Sequence, residues 1–381
     1  MFPMTSKICC GAILLATALL NSALGAQYIG YAGAYTRTKG KGIYAFRFDP
    51  GSGKTEVLGL MAETPNPSFL TLHPNGRFLY AVNESGSGTA TSGTVTAFAR
   101  DSKTGALTKL NSVLSGGTGP CHLVVDKTGK TLVVANYQSG SVSALAIGKD
   151  GKLSETPFTI QHKGSSVVLP RQSGPHAHGV VLSANNRFVF TPDLGMDQVL
   201  AYRLDPAASK LTPNDPPFTK IEPGGGPRHF AFHPKGKFAY ANHEMSSKVT
   251  AFAYDAAHGS LKELQTISTL PKDFDGRSAT AEIAVDAKGR FLYVSNRGHD
   301  SIAVFAIGPD GKLTPVEHVS TRGKTPRNFQ MDPTGAYLFA ANQDSDSVVQ
   351  FRVDAKSGKL TPTGVKLDIP EPVCLVFASM K

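Results

Sequence analysis

The chain has no tryptophan, few aromatic residues of any kind (8%) and only four cysteines in 381 residues. Its Lys and Arg residues are scattered over turns and form no run, so there is no basic stripe interleaved with stacking rings, and nucleic acid is excluded as a partner. Two of the cysteines, Cys9 and Cys10, belong to an N-terminal leader. The remaining Cys121 and Cys374 are too few for a disulfide scaffold and have no metal-binding or redox spacing. They read as small buried apolar residues. Long apolar runs are equally scarce. The run over residues 8–20 is shorter than a membrane span requires, and no amphipathic helix follows it. A Gly-x-Ser-x-Gly elbow, a phosphate-binding Walker loop and a zinc-type cysteine pattern are all missing.

The apolar run follows Lys7 and ends near Ala23-Leu24-Gly25, which is the pattern of a signal peptide. The expectation is a leader over residues 1–25, cleaved after Gly25 or Ala26. That leaves one domain over residues 26–381, periplasmic or secreted and free of the membrane. The formal charge of +10 falls to near +9 without Lys7. This serves surface solubility first and gives a modest attraction for small anions.

The remainder is repetitive. Pro227 opens PRHFAFHPKGKFAYAN, and Pro67, Pro120 and Pro326 open versions of it, spaced by about fifty residues. Looser copies begin near Pro175 and Ala279, and half a copy begins at Pro372. Within a unit, short runs of Val, Phe, Tyr, Leu and Ile alternate with Pro-x-Gly and Gly-x-Leu turns, which is strand chemistry. Four strands can be read per unit: the Pro-led segment, a run ending in Asn, a Val/Phe alternation, and a strand after Gly-x-Leu. Radial repetition of four antiparallel strands predicts an all-β, seven-bladed β-propeller. Residues 28–35 look like a second strand with no first strand before it, and Pro372 supplies the missing one. The closing blade is therefore shared between the N- and C-termini, which removes open sheet edges. Tandem sandwiches need longer units and β-helix coils need much shorter ones.

In a propeller the first strands line the central channel. Aligned on their Gly turns, the copies place Ser68-Phe69, Cys121-His122, His178-Gly179, Arg228-His229, Ala281-Glu282, Arg327-Asn328 and Val373-Cys374 at equivalent positions. Polar groups converging on a narrow channel are costly unless they are paired or used. Two Arg, several His and a Glu on one rim suit an anionic ligand, although a hydrogen-bonded structural channel would use the same residues. The second strands end in a further ring: Asn83-Glu84, Asn136-Tyr137, Asp193, Asn242-His243-Glu244, Asn296-Arg297 and Asn342-Gln343. The repeated Asn reads as structural, whereas Glu84, Glu244 and Arg297 vary by blade. His176 and His178 share a strand face and could hold a metal, but no carboxylate partner is evident, so neither a metal nor a cofactor is expected. Gly224-Gly225-Gly226 reads as a blade-to-blade turn.

YIGYAGAYT at 28–36, PNPSFLTLHPNGRFLYAVNE at 65–84, GPHAHGVVLSANNRFVFTPDLGMDQV at 174–199, GPRHFAFHPKGKFAYANHE at 226–244 and SATAEIAVDAKGRFLYVSNRGHDSIAVF at 278–305 together carry a family resemblance. The chain resembles the lactonase family of seven-bladed propellers, which includes bacterial propeller-type 6-phosphogluconolactonases and fungal carboxy-muconate lactonizing enzymes. The resemblance covers essentially the whole chain after the leader. It implies an active site of His178, Arg228, Glu244 and Arg297, with His176, His229 and Glu282 as neighbours. Arg327, from the channel ring, joins these neighbours as a substrate-binding candidate.

The activity it implies is hydrolysis of a small lactone, with His178 or Glu244 as general base and Arg228 and Arg297 on the anionic end and the developing oxyanion. Export sits awkwardly with a phosphorylated sugar and favours an unphosphorylated sugar lactone or another carboxylated lactone. A muconate-type cycloisomerase could use the same residues. A non-catalytic exported binding propeller is the alternative of another class, with the loops at 164–175 and 269–280 as contact surfaces. A monomer or weak homodimer is expected.

Overall fold

The computed structural model describes residues 27–85 and 92–381; the expected leader lies outside them. The described residues form seven four-stranded antiparallel sheets. Blade 1 begins with Leu70–Leu72, blade 2 with Pro120–Val125, blade 3 with Val181–Leu182, blade 4 with Pro227–Phe232, blade 5 with Ala279–Val285 and blade 6 with Pro326–Met331. Blade 7 is built from both ends of the chain. Pro372–Ser379 pairs with Tyr28–Ala34, in register from Tyr28 opposite Ser379 to Gly33 opposite Cys374, and Gly42–Phe48 and Thr55–Glu63 complete the sheet.

Burial is greatest on the second strands and falls toward the outer edge of each blade. The second strands Thr131–Asn136 and Tyr337–Asn342 are buried along their whole length, whereas the outer strand Leu107–Leu114 is mostly exposed. Neighbouring blades cover both faces of the inner strands, so these carry unbroken apolar runs such as Leu132-Val133-Val134-Ala135. The core therefore lies between blades. Seven apolar clusters each join two consecutive blades; Tyr80 meets Leu123 in one, and Phe46 meets Phe339 in another.

The Gly-x-Leu turns take part in these joints. Tyr31, Tyr80, Tyr240 and Tyr293 donate their hydroxyls to the carbonyls of Gly105, Gly151, Gly311 and Gly358 in the next blade, at 2.8, 3.0, 3.1 and 2.9 Å. Gly311 has φ +82°, and a Cβ there would lie 2.3 Å from the Phe238 ring, so both backbone and packing require glycine.

Two details differ from the sequence reading. In blade 2 the fourth strand starts at Phe158 and runs to Gln161; Leu153 makes only an isolated bridge to Ile147. In blade 4 the strand-end position held by Asn in blades 1, 2, 5 and 6 and by Asp193 in blade 3 is His243, because Phe238–His243 is the counterpart of Phe78–Asn83. The strand-end Asn residues tie down the linker entering their own blade: Asn83 donates to Pro65 O (2.7 Å), Asn296 to Thr269 O (2.9 Å) and Asn342 to Thr321 O (3.0 Å). Asn242 has another task, accepting from His229 N and donating to Ala281 O, both at 2.9 Å.

Candidate active site

The channel positions recognised by repeat alignment coincide with a repeated irregularity in the backbone. The ladder between first and second strands slips between Pro120 and His122, Pro227 and His229, Thr280 and Ile283, and Pro326 and Asn328. Cys121, Arg228, the pair Ala281-Glu282, and Arg327 are the residues left out of register. A β-bulge takes such a side chain out of the normal in–out alternation and re-aims it. The second strands deliver residues at or just past their ends to the same face of the ring: Glu84, Tyr137, Glu244 and Arg297.

The two sets meet around a cavity of about 270 Å³ at one mouth of the channel, lined from the first strands by Cys121 and Arg327, from the segment leading into the first strand of blade 3 by His178, and from the strand ends by Glu84, Tyr137, Gln138, Glu244 and Arg297. Arg171 completes it from a segment outside the repeats. Glu244 organises the charge. Its Oε2 lies 3.1 Å from Arg228 Nε, 2.9 Å from Arg297 Nη2 and 3.7 Å from His178 Nε2, and its Oε1 lies 2.7 Å from Arg171 Nη2. Burial alone would raise its pKa, but Arg297, Arg228 and Arg171 outweigh it and hold the carboxyl at about 2. Burial lowers Arg228 to about 10, helped by Arg297 and Arg327, which leaves it charged at neutral pH.

His178 is buried, and burial together with Arg228, His229 and Arg327 pushes its pKa well below the ordinary 6.5. It is therefore a neutral imidazole at pH 7. Four guanidiniums, those of Arg171, Arg228, Arg297 and Arg327, face two carboxylates, Glu84 and Glu244, leaving a surplus of positive charge. Arg327 has no hydrogen-bond acceptor among the described residues. Its guanidinium lies 5.4 Å from the centre of the Tyr35 ring, whose hydroxyl donates to Glu84 Oε2 at 2.9 Å. The Tyr137 hydroxyl is buried without a partner among the described residues, and burial raises its pKa to about 12, so it keeps its proton.

The remaining sequence candidates sit one layer away. His229 Nδ1 lies 3.1 Å from Glu282 Oε1 deeper in the channel, and Asn328 donates to Glu282 Oε2. Burial drives this pair toward its neutral forms, lowering His229 and raising Glu282. His229 also touches Arg228 Nη1 at 3.1 Å, and Arg228 Nη1 donates to Ala281 O at 2.6 Å, so this layer fixes Arg228 from below. His176 stacks on the Tyr137 ring at 4.6 Å, with its Nδ1 3.0 Å from Tyr137 O. His176 and His178 thus serve different neighbours, and no group of three His, Cys, Asp or Glu among the described residues is arranged to hold a metal ion. Cys121 and Cys374 are both free and buried, but Cys121 also lines the cavity, which its reading as packing had missed. Arg171 was missed as well, because it has no counterpart in the other blades to align with.

A family model described as Lactonase, 7-bladed beta-propeller matches residues 29–377. A Bacillus subtilis (strain 168) protein named 6-phosphogluconolactonase is 38% identical over 352 residues, covering 92% of this chain and 98% of the relative. One of the same name from Formosa agariphila is 39% identical over 336 residues, covering 87% and 94%. Among solved structures, a periplasmic gluconolactonase from Pseudomonas aeruginosa matches with a TM-score of 0.87 and 36% identity, over 93% of this chain and 100% of that one.

Proposed function

The chain belongs to the lactonase family of seven-bladed β-propellers, and from that premise we propose that it is a lactone hydrolase, opening a sugar lactone or a related carboxylated lactone in the cavity around Glu244. The observation that carries this reading is a neutral imidazole, His178, placed 3.7 Å from an ionised carboxylate, beside a guanidinium and a phenol that have no hydrogen-bond partners among the described residues.

Ring opening needs an activated water, a place for the oxyanion and a proton for the departing ring oxygen. A water can touch both His178 Nε2 and Glu244 Oε2, because 3.7 Å is less than twice an ordinary hydrogen bond of about 2.8 Å. The Glu244 carboxylate is already taken up by three guanidiniums and held at about 2, which favours the neutral His178 as the group that takes the proton. Glu244 then orients the water and stabilises the imidazolium. The water oxygen adds to the carbonyl carbon. The ring C–O bond breaks, and the imidazolium returns its proton to the ring oxygen. Arg228 and Arg297 are committed to Glu244, so the free donors for the oxyanion are Arg327 and the Tyr137 hydroxyl.

The leader expected over residues 1–25 supports a location outside the cytoplasm, where phosphorylated sugars are scarce, and the likeness to a periplasmic gluconolactonase supports it further. The test is product analysis in ¹⁸O-water with δ-gluconolactone and a carboxylated lactone. The reading expects the hydroxy acid, with one solvent oxygen in its carboxylate, to form faster than in the blank. Lactones that open only at the blank rate would leave a binding propeller, and net formation of lactone from a muconate would make it a cycloisomerase.

A further inference from the structure

Residues 163–175, between blades 2 and 3, form a strap that lies outside every strand. Its root is fixed. Gln172 is fully buried; its amide donates to Leu194 O and Asp197 Oδ1, both at 2.8 Å, and its Oε1 accepts from Val168 N at 3.0 Å. Asp197 also accepts from the Ser166 hydroxyl (2.5 Å), Gly224 N (2.6 Å) and Gly226 N (2.7 Å). The strap is thereby joined to the linker that leads into the strand carrying Arg228.

Next to this anchor, Arg171 reaches the cavity. Its guanidinium lies 5.6 Å from the Tyr137 ring centre and binds Glu244 Oε1 at 2.7 Å. The side chain is 48% exposed, against 3% for Arg228 and 17% for Arg297. Arg228 and Arg297 each have a second acceptor, Ala281 O at 2.6 Å and Thr280 O at 3.0 Å. Arg171 has none among the described residues. A guanidinium carries five N–H donors in a planar fork, so donors beyond the one on Glu244 remain for a ligand on this half-exposed side chain. Were Arg171 to turn toward a ligand, Glu244 would keep two guanidiniums on Oε2.

We propose that Arg171 is a specificity-determining residue that grips an anionic substituent, phosphate or carboxylate, on the lactone. The inference rests on the lactonase reading above. The cavity divides the work by depth: Arg327 serves the ring carbonyl, and Arg171 serves the substituent at the rim.

The test compares the full-length protein with Arg171→Gln and Arg171→Lys on neutral δ-gluconolactone, 6-phosphogluconolactone and a glucarolactone. Loss of one charge-assisted contact raises KM for the charged lactones by roughly tenfold or more relative to the neutral one in Arg171→Gln. The change in kcat is common to all three, and Arg171→Lys recovers part of the preference. A rise confined to the phosphate or to the carboxylate compound names the natural substituent and still supports the proposal. An equal change across all three lactones overturns it.

If Arg171→Gln does not fold, inhibition of the unaltered protein by 6-phosphogluconate and by glucarate, each against gluconate, decides. A tighter grip on either of the two more highly charged acids supports the role, and equal inhibition by all three overturns it. If the unaltered protein opens none of the lactones, the lactonase reading itself has failed. If it opens them but Arg171→Gln leaves their KM ratio unchanged, only the Arg171 assignment has failed.

Discussion

Replacing Glu244 with Gln removes the one anion that three guanidiniums share. Its carboxyl is held at about 2 against an ordinary 4.5. At 1.36 kcal/mol per pKa unit, that gap corresponds to about 3 kcal/mol of folding stability. Only 11% of the side chain is exposed, so solvent screens little of this. The folded-state pKa is depressed, so the contribution is fully present above the unfolded value and is lost as pH falls through the folded one. Glu244→Gln should therefore be less stable than the parent by about 3 kcal/mol at pH 7, by about 1 kcal/mol at pH 3, and by little at pH 2. Urea denaturation is the assay, because a guanidinium salt would screen the cluster. A difference below about 1 kcal/mol at pH 7, or one that does not shrink between pH 5 and pH 2, would refute the view that the three arginines pin an ionised Glu244.

Other consequences are simpler to check. Because His178 titrates well below 6.5, kcat/KM, corrected for spontaneous opening, should be flat from pH 6 to pH 8; an inflection near 6.5 would contradict a neutral buried base. Burial raises the thiol pKa of both Cys121 and Cys374, so neither should react with Ellman's reagent in the native protein at pH 8, and both should react once it is unfolded; prompt native labelling would refute this. Tyr240→Phe removes an interblade bond of 3.1 Å and should cost about 1 kcal/mol in urea melts without changing turnover; no loss of stability would show that the tyrosine–glycine joint contributes nothing.

The blade count and the shared closing blade were legible because a propeller repeats its turn chemistry. Each Pro-x-Gly and Gly-x-Leu marks a hairpin, and the half copy at Pro372 had one place to go. Arg228, Glu244, Arg297 and His178 were legible for a related reason, since repeat alignment isolates positions where the blades disagree. Alignment fails where there is nothing to align. Arg171 lies on a strap found once, and the Asn242-His243 step in blade 4 shifts the apparent match by one residue. Charge state was hidden as well. Most residues of the Glu244 cluster are visible in sequence, but only the approach of three guanidiniums shows how far the carboxyl is held below its ordinary range. Nor does sequence separate depth. His229 and Glu282 belong to the channel ring by spacing, yet they pair beneath Arg228 and do not line the cavity.

The central claim is that His178 and the charged groups beside it open a lactone at this mouth of the channel. The most direct measurement is proton release on δ-gluconolactone and 6-phosphogluconolactone, comparing the unaltered protein with a His178→Ala, Arg228→Ala double variant shown to be folded. The account predicts acceleration over spontaneous opening with at least one of the two, abolished in the variant. Acceleration that survives in the folded variant, or none in the unaltered protein, would contradict it.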